Sequence, residues 1–166
     1  MSDLSAFRAK VISVSTRAAA GIWQDTSGAL ILEKLTSLGL ACEVVEVVPD
    51  GVSVKESLLK AVKQNFDLVI TTGGTGHSPT DVTPEMTRQV IERDSPGISE
   101  AIRAYGISQG VFHSALSRAI AGICTNTLII NVPGSIGGVR DAMTVLEEIL
   151  PHALDQLRGG DHSRRG

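Results

Sequence analysis

Short apolar runs alternate with stretches of helical spacing along most of the chain. The run DLVITT at 67–72 is nearly all apolar, which is typical of a central parallel strand buried on both faces. Ile31, Leu35 and Leu38 recur at the spacing of one helix face. The pattern predicts strands at residues 10–16, 43–48, 67–72, 118–123 and 127–131. It predicts helices at residues 26–38, 53–65, 83–93, 98–105 and 139–157.

Several helix boundaries carry residues that favour a start or a break. Ser53 is a suitable N-cap for the helix that follows it. Thr83 at the N-cap, Pro84 at the first helical position and Glu85 in the first turn predict a strong helix start. Pro151 lies inside the predicted last helix and should kink or restart it.

The order of these elements predicts the fold class. Strand, helix, strand, helix and strand follow one another through the first half of the chain, which favours right-handed crossovers between parallel strands. We therefore expect an α/β protein, a three-layer α/β/α sandwich around a mostly parallel, doubly wound sheet. With 166 residues, the chain should form a single domain, with an ordered core over about 10–157 and a flexible tail at 159–166.

Composition narrows the class of partner. Hydrophobic residues make up 42% of the chain but aromatic residues only 3%, so the core is built from aliphatic side chains. The net charge of −3 gives no general electrostatic reason to bind nucleic acid or an anionic membrane. Cys42 and Cys124 are too few for a disulfide framework or a zinc site and are expected as small buried hydrophobes. No apolar run is long enough to span a membrane, and a cytoplasmic location is expected.

Four predicted strands end in glycine, hydroxyl or charged residues. In a doubly wound sheet, ligands bind beyond the carboxyl ends of the strands. These ends carry Ser15-Thr16-Arg17, Asp50, Gly73-Gly74-Thr75-Gly76 and Asn131 to Ser135. The glycines at 73–76 would let backbone N–H groups approach a phosphate, although the loop lacks the lysine of a Walker motif. The convergence of these ends predicts a binding site for a phosphorylated small molecule.

Individual side chains near these ends allow two interpretations each. Asp81 either complements a helix dipole or ligates Mg²⁺, and Asp50 is either a turn residue or a second carboxylate for the metal. Arg17 either clamps a phosphate or is a solvated surface residue. Asp25 is expected to help open a helix. Trp23 either covers the edge of a pocket or packs as a hydrophobic residue, and packing is the favoured role. The four histidines show no metal-ligand spacing and receive no catalytic role.

The run TTGGTGHSPTDVTPE at 71–85 closely resembles the signature of the molybdopterin-binding MogA/MoaB proteins. The match continues through SPG at 95–97, LSR at 116–118 and LIINVPGS at 128–135. It also includes SVSTRAAAG near the start and the VPD turn ending at Asp50. Six motifs in the same order resemble the family over nearly the whole chain. The resemblance implies a molybdopterin-binding-domain fold, commonly a trimer.

The resemblance also implies an activity. Members of this family transfer AMP from Mg·ATP to the terminal phosphate of molybdopterin, releasing pyrophosphate. It implies that Asp50 and Asp81 are the two functionally important aspartates and hold Mg²⁺. The implied nucleotide-phosphate residues are Gly73, Gly74, Thr75 and Gly76, with Arg17 as a further candidate. The implied pterin-binding residues are Ser117, Arg118, Asn131, Pro133, Gly134 and Ser135. Handover of the pterin to or from other enzymes of the cofactor's synthesis is a further expectation.

Two positions depart from the family pattern. Thr80 stands where many members have an arginine, and Thr16 stands where many have an aspartate. The missing phosphate contact is expected from Arg17 or Arg88 instead. Other interpretations stay open: a non-catalytic pterin-binding or scaffold protein, the molybdenum-insertion activity of longer chains, and the related domain of nucleotide-pyrophosphatase proteins. Retention of both aspartates favours the adenylyltransferase over the first of these, and the length of the chain favours it over the other two, which usually occur in longer chains.

Overall fold

The computed structural model describes residues 3–160, in which seven strands form one sheet. The strands are β1 (Arg8–Val14), β2 (Ala41–Cys42), β3 (Glu46–Val48), β4 (Leu68–Thr72), β5 (Arg93–Asp94), β6 (Ala121–Cys124) and β7 (Thr127–Val132). Their order is β2-β1-β4-β7-β6-β5, with β3 also pairing with β1. The ladders of β1 with β2, β3 and β4, and of β4 with β7, are parallel; those of β6 with β5 and β7 are antiparallel.

Six α-helices and a short 3₁₀ helix are described. The helices are α1 (Thr16–Ala19), α2 (Thr26–Ser37), α3 (Val52–Lys63), α4 (Thr83–Arg88), α5 (Pro96–Ser108) and α6 (Ile136–Leu157), and the 3₁₀ helix is Phe112–Leu116. Of the helices in residues 3–160, none combines the length and apolarity that a bilayer crossing requires.

The helices cover both faces of the sheet, which confirms the predicted three layers. One core cluster joins α2, α5 and α6 to residues such as Leu68 and Ile70 of β4. The other joins α3 to Val69 and to Ile129 of β7. Neighbouring residues of a strand point to opposite faces, so a strand that is apolar throughout is buried on both sides. All five residues of β4 are buried, as its sequence predicted.

Strand boundaries differ from the prediction where the chain makes other contacts. β1 begins two residues earlier than the expected 10–16 segment and ends before it. Of the expected strand at 43–48, only Glu46–Val48 forms a strand, β3, and the two-residue strand β2 precedes the expected segment. Between β2 and β3 the chain leaves the edge of the sheet and exposes Val44. The strand expected at 118–123 begins only at Ala121, since the Arg118 amide donates instead to Thr75 O at 2.9 Å.

Helix boundaries also require correction. Gly51, at φ 108°, occupies the N-cap of α3 in place of the expected Ser53. Thr83 is the first residue of α4, not its cap, and α4 ends at Arg88 because the segment after it joins β6 through β5. α5 begins two residues before the expected 98 and extends three residues beyond 105. α6 runs through Pro151 without restarting. In the expected flexible tail at 159–166, residues 161–166 lie outside the described part of the chain.

The topology brings four chain segments to one edge of the sheet. The connection from β1 leads to β3 on one side, and the next strand, β4, lies on the other side of β1. Such a reversal leaves a crevice at the carboxyl ends of the central strands. Ser15 follows β1, Asp50 follows β3, Gly73 follows β4 and Pro133 follows β7. Asp50 bonds to Thr16 and faces Gly74, and the other three segments line the clefts at this edge, so the predicted convergence is confirmed.

Candidate functional site

Two clefts lie side by side at this edge. The first, called the Trp23 cleft, has a volume of about 290 Å³. The ends of β1 and β4 and the start of α2 form its walls, which include Ser15, Trp23, Asp25, Ser27, Gly73 and Gly134. The second, called the Asp81 cleft, has a volume of about 460 Å³. Its walls include Gly74, Thr75, Gly76, Asp81, Ser117, Pro133, Gly134 and Ser135. Gly134 lines both clefts, and the Gly73–Gly74 step separates them.

The Gly73–Gly74 step depends on backbone conformations that favour glycine. Gly73 and Gly74 have φ values of 95° and 66°. A Cβ on Gly73 would overlap the carbonyl oxygen of Val14, and one on Gly74 would overlap Thr83 Oγ1 and approach Asp50 Oδ1 to 3.0 Å. The loop therefore passes directly against β1 and the Asp50 carboxylate, which a side chain would prevent.

Arg118 holds the far end of the same loop. Its Nε donates to Gly76 O at 2.8 Å and its Nη2 donates to Asp81 O at 2.5 Å. Its Nη1 also pairs with the carboxylate of Glu85, and this hydrogen bond keeps the pKa of Glu85 below its ordinary value. Arg118, which was expected to bind the pterin, therefore bonds to the protein's own glycine loop. Through Glu85 it fixes that loop to the start of α4.

Asp50 is tied to the segment that follows β1. Thr16 Oγ1 donates to Asp50 Oδ2 at 2.7 Å and accepts from the Asp50 amide at 3.2 Å. The other oxygen, Oδ1, faces Gly74. Thr16 occupies the position where many family members have an aspartate, and here it orients Asp50 by a hydrogen bond instead of adding a second negative charge. The arrangement directs one carboxylate oxygen toward the glycine loop.

Asp81 lies on the opposite side of the loop. Its Oδ2 accepts from the Ser78 amide at 3.1 Å and lies close to Gly76, while its side chain lines the Asp81 cleft. Within residues 3–160, no group of three or more His, Cys, Asp or Glu side chains could hold a metal ion. Mg²⁺ commonly uses one or two carboxylates together with substrate phosphates and water. Asp50 and Asp81 fit that donor set.

The residues with an implied pterin role divide into two groups. Ser117, Pro133, Gly134 and Ser135 line the Asp81 cleft. Asn131 is fully buried in β7, where its Nδ2 donates to Thr71 and Thr87 and its Oδ1 accepts from the Ile120 amide. Asn131 lines neither cleft. It joins β7 to β4 and α4 behind the site.

The cationic side chains proposed to replace the absent arginine at Thr80 lie in different places. Arg88 pairs with Asp94 at 3.2 Å and lines a depression away from both clefts. Arg17 lies beside the Trp23 cleft, with its guanidinium carbon 4.6 Å from the centre of the Trp23 ring. Of these two residues, only Arg17 is close to the site.

Trp23 is 60% exposed and lines a cleft, so the favoured expectation of hydrophobic packing is wrong and the alternative, a position at the edge of a pocket, is the one observed. Other features of the site were not found from the sequence. His77 and His113 both line the Asp81 cleft although they are distant in sequence. The hydroxyl of Thr83 is buried behind Gly74 and has no hydrogen-bond partner among the described residues. Asp25 caps α2 as expected, accepting from Ser13 and Gly28.

Another depression, at the opposite edge of the sheet, is a weaker candidate for a binding site. This depression of about 690 Å³ lies at the amino-terminal edge of the sheet, but its arginines are engaged. Arg158 pairs with Asp67 at 3.0 Å, and Arg8 donates to the carbonyl of Gln64.

Burial raises the pKa of both cysteine thiols, and Cys124 is buried as expected whereas Cys42 is half-buried.

Comparison with known proteins identifies the family. The model of a probable molybdopterin binding domain matches residues 10–152. A molybdopterin adenylyltransferase of Helicobacter pylori is 37% identical over 153 residues, covering 90% of this chain and 86% of that protein. The chain spans only 24% and 48% of two longer curated relatives that it also matches.

Solved structures agree with this assignment. The molybdopterin biosynthesis Mog protein from Mycobacterium ulcerans is 48% identical, with a TM-score of 0.87 and coverage of 92% of this chain and 99% of that one. The tungsten cofactor synthesizing protein MoaB from Pyrococcus furiosus is 32% identical, with a TM-score of 0.84 and coverage of 92% and 97%. The chain belongs to the molybdopterin-binding-domain family of the MogA and MoaB proteins.

Proposed function

We propose that this protein is a molybdopterin adenylyltransferase that transfers AMP from Mg·ATP to the terminal phosphate of molybdopterin. The observation that carries the proposal is the pair of clefts that meet at Gly73–Gly74, with Asp50 behind the loop and Asp81 beyond it. A transfer between two substrates requires two binding surfaces that share one reaction point, whereas a single ligand requires only one. The name of the Helicobacter pylori relative supports the same activity.

We assign the nucleotide to the Trp23 cleft and the pterin to the Asp81 cleft. Ser117 and the Pro133–Ser135 segment, which resemble the family's pterin motifs, line the Asp81 cleft. The other cleft is then available to the nucleotide, with the α-phosphate at Gly73–Gly74, where the two clefts meet. Of the residues with an implied nucleotide-phosphate role, Gly73 lines the Trp23 cleft, whereas Gly74, Thr75 and Gly76 line the Asp81 cleft beside this reaction point. An oxygen of the pterin phosphate attacks the α-phosphorus, the new P–O bond forms, the bond to the β-phosphate breaks, and pyrophosphate leaves. No protein side chain acts as a nucleophile in this step.

The protein's contribution is positioning and neutralisation of charge. The N-termini of α2 and α6 both border the Trp23 cleft, through Thr26 and Ser27 on one side and Ile136 on the other. Backbone N–H groups and the dipole make a helix N-terminus attractive to phosphate. Asp50 and Asp81 would hold Mg²⁺, which neutralises phosphate charge when bound. The helix N-termini and Mg²⁺ together would neutralise the triphosphate, so the site needs few cationic side chains.

A non-catalytic pterin-binding protein is the second candidate. Both aspartates make hydrogen bonds that stabilise local structure, Asp50 with Thr16 and Asp81 with the Ser78 amide. Such roles would retain the two residues without turnover. The Trp23 cleft has no evident purpose in a protein that binds pterin alone, so we favour the transferase.

Pyrophosphate release tests the two candidates. Wild type, Asp81→Asn and the control Asp94→Asn would be assayed with ATP and Mg²⁺, with and without molybdopterin. Asp94 is exposed and pairs with Arg88 outside both clefts. We expect pterin-dependent release in wild type and in the control and its loss in Asp81→Asn, with unchanged circular dichroism. Pterin binding without release in wild type would support the non-catalytic candidate.

We also propose a homotrimer and a cytoplasmic location, where ATP and Mg²⁺ are available, with handover of the pterin to or from other enzymes of the pathway. The exposed apolar side chain of Phe112, 75% exposed and outside both clefts, supports an interface between copies. Sedimentation equilibrium of wild type and Phe112→Ser tests this assembly: a trimer weakened by the substitution is expected, and a monomeric wild type contradicts it.

A further inference from the structure

Trp23 is held in an unusual position for a tryptophan. It is the only tryptophan in the chain, lies between α1 and α2, and is 60% exposed at the mouth of the Trp23 cleft. Tryptophan is on average a strongly buried residue, because its ring gains much from leaving water. Ile22, beside it, is 69% exposed but does not line the cleft. The exposure of Trp23 therefore presents an aromatic face to whatever enters.

The segment that carries Trp23 is anchored. Ser15 caps α1 by accepting from the Ala18 amide at 3.1 Å, and the Ile22 amide donates to Arg17 O at 2.9 Å. The Arg17 guanidinium then lies over the indole at 4.6 Å, a cation–π contact that covers one ring face. A ring so held keeps its other face in a defined place, which lowers the entropy that a stacking ligand must overcome.

The polar residues next to Trp23 suit a heterocycle followed by phosphates. Gln24 and Asp25 continue the wall of the cleft, and Asp25 is fixed by Ser13 Oγ at 2.8 Å and by the Gly28 amide at 2.9 Å. Gly73 and the N-terminus of α6 also line the cleft. The cleft thus combines an aromatic, hydrogen-bonding wall at Trp23, Gln24 and Asp25 with anion-attracting backbone groups at Gly73 and the start of α6.

From this arrangement we infer that Trp23 is the stacking platform for the purine base of the nucleotide, and that Arg17 is a positioning residue that orders the indole. The inference rests on the proposed function for the identity of the second substrate. Arg17 then acts on the base end of the nucleotide rather than as the phosphate clamp expected from its position after the first strand. An exposed aromatic ring stacks on any purine. Discrimination between adenine and guanine would therefore depend on hydrogen bonds from the polar wall of the cleft, at Gln24 and Asp25.

Because Trp23 is the only tryptophan in the chain, its fluorescence reports ligand binding in the Trp23 cleft directly. Titration of wild type with ATP and Mg²⁺ should quench indole fluorescence in a saturable way. Trp23→Ala should raise the KM for ATP by about tenfold to a hundredfold, as expected for one lost base–aromatic stack, with kcat changed much less. Trp23→Phe should recover most of the affinity, and the matched control Ile22→Ala should behave as wild type.

Inorganic tripolyphosphate separates stacking from a structural role. It carries the charge of the nucleotide without its base, so its inhibition constant should be the same in wild type and Trp23→Ala. Arg17→Ala should lower the fluorescence anisotropy of the free protein and raise the KM for ATP, and Arg17→Lys should restore part of both. Equal weakening of ATP and tripolyphosphate in Trp23→Ala would show that the substitution damages the cleft, and would overturn the inference.

The remaining outcomes distinguish this inference from the proposed function. Normal pyrophosphate release in wild type with an unchanged KM for ATP in Trp23→Ala would overturn the platform and leave the transferase intact. Saturable quenching of wild type by ATP, weaker ATP binding by Trp23→Ala in isothermal titration calorimetry and no release in wild type would support the platform while contradicting the transferase.

Discussion

Two buried threonines of α4 differ in one respect that predicts opposite effects on stability. Thr83 and Thr87 are both 0% exposed. Thr87 Oγ1 accepts a hydrogen bond of 2.9 Å from Asn131 Nδ2, whereas Thr83 Oγ1 has no partner among the described residues. Replacement by valine conserves shape and β-branching, so each substitution removes little besides the hydroxyl. Thr87→Val leaves a buried amide donor unpaired, and Thr83→Val removes an unpaired polar atom.

The magnitudes follow from the cost of an unsatisfied buried group. Thr87→Val should lower the free energy of unfolding by about 1–3 kcal/mol. With a urea m-value of about 2 kcal/mol/M, the midpoint should fall by about 0.5–1.5 M. Thr83→Val should change the free energy of unfolding by less than about 0.5 kcal/mol or increase it.

Urea titration followed by circular dichroism, with equal m-values required for the comparison, measures both variants. A loss in Thr83→Val as large as that in Thr87→Val would refute the reasoning, because it would mean that the Thr83 hydroxyl has a partner in solution. The activity of Thr83→Val adds a second readout. Stable protein with impaired transfer would indicate that the hydroxyl, which lies behind Gly74, is retained for the reaction.

Three further substitutions test the loop, its anchor and the last helix. Gly74→Ala should abolish transfer and cost about 1–2 kcal/mol from its φ of 66° alone, measured by urea titration. Because Arg118 lowers the pKa of Glu85 in the folded state, this contact stabilises the protein above the unfolded pKa and is lost as acid protonates Glu85. Wild-type stability should therefore fall below about pH 4 more steeply than that of Glu85→Gln in acid titrations; equal slopes would contradict the contact. Pro151→Ala should restore a helix hydrogen bond and stabilise α6 by up to about 3 kcal/mol, seen as a higher Tm; a lower Tm would contradict this.

The sequence predicted the parts of the site that depend on strand order. Apolar runs that end in polar residues locate strand ends, and parallel strands bring those ends to one edge. Gly73 and Pro133 could therefore be expected together, although 60 residues separate them. The three layers followed from the same alternation of elements.

Other features depend on contacts that no local pattern encodes. Arg118 bonds to a loop some 40 residues earlier in the chain, and Asn131 bonds to Thr71 and Thr87 inside the fold. A polar residue that follows a predicted strand has the same local signal whether it faces a ligand or the core. Trp23 was misjudged for a related reason: hydrophobicity predicts burial on average, and its exposure is set by the anchored segment between α1 and α2.

In the proposed reaction, a single AMP group passes from the nucleotide in the Trp23 cleft to the pterin in the Asp81 cleft. The most direct test follows a radiolabelled α-phosphate from ATP after incubation with molybdopterin, Mg²⁺ and either wild type, Asp81→Asn or Asp94→Asn. We predict label in the pterin product for wild type and Asp94→Asn, one equivalent per pyrophosphate released, and none for Asp81→Asn. Label found only as free AMP or unreacted ATP with the wild-type protein would contradict the transfer.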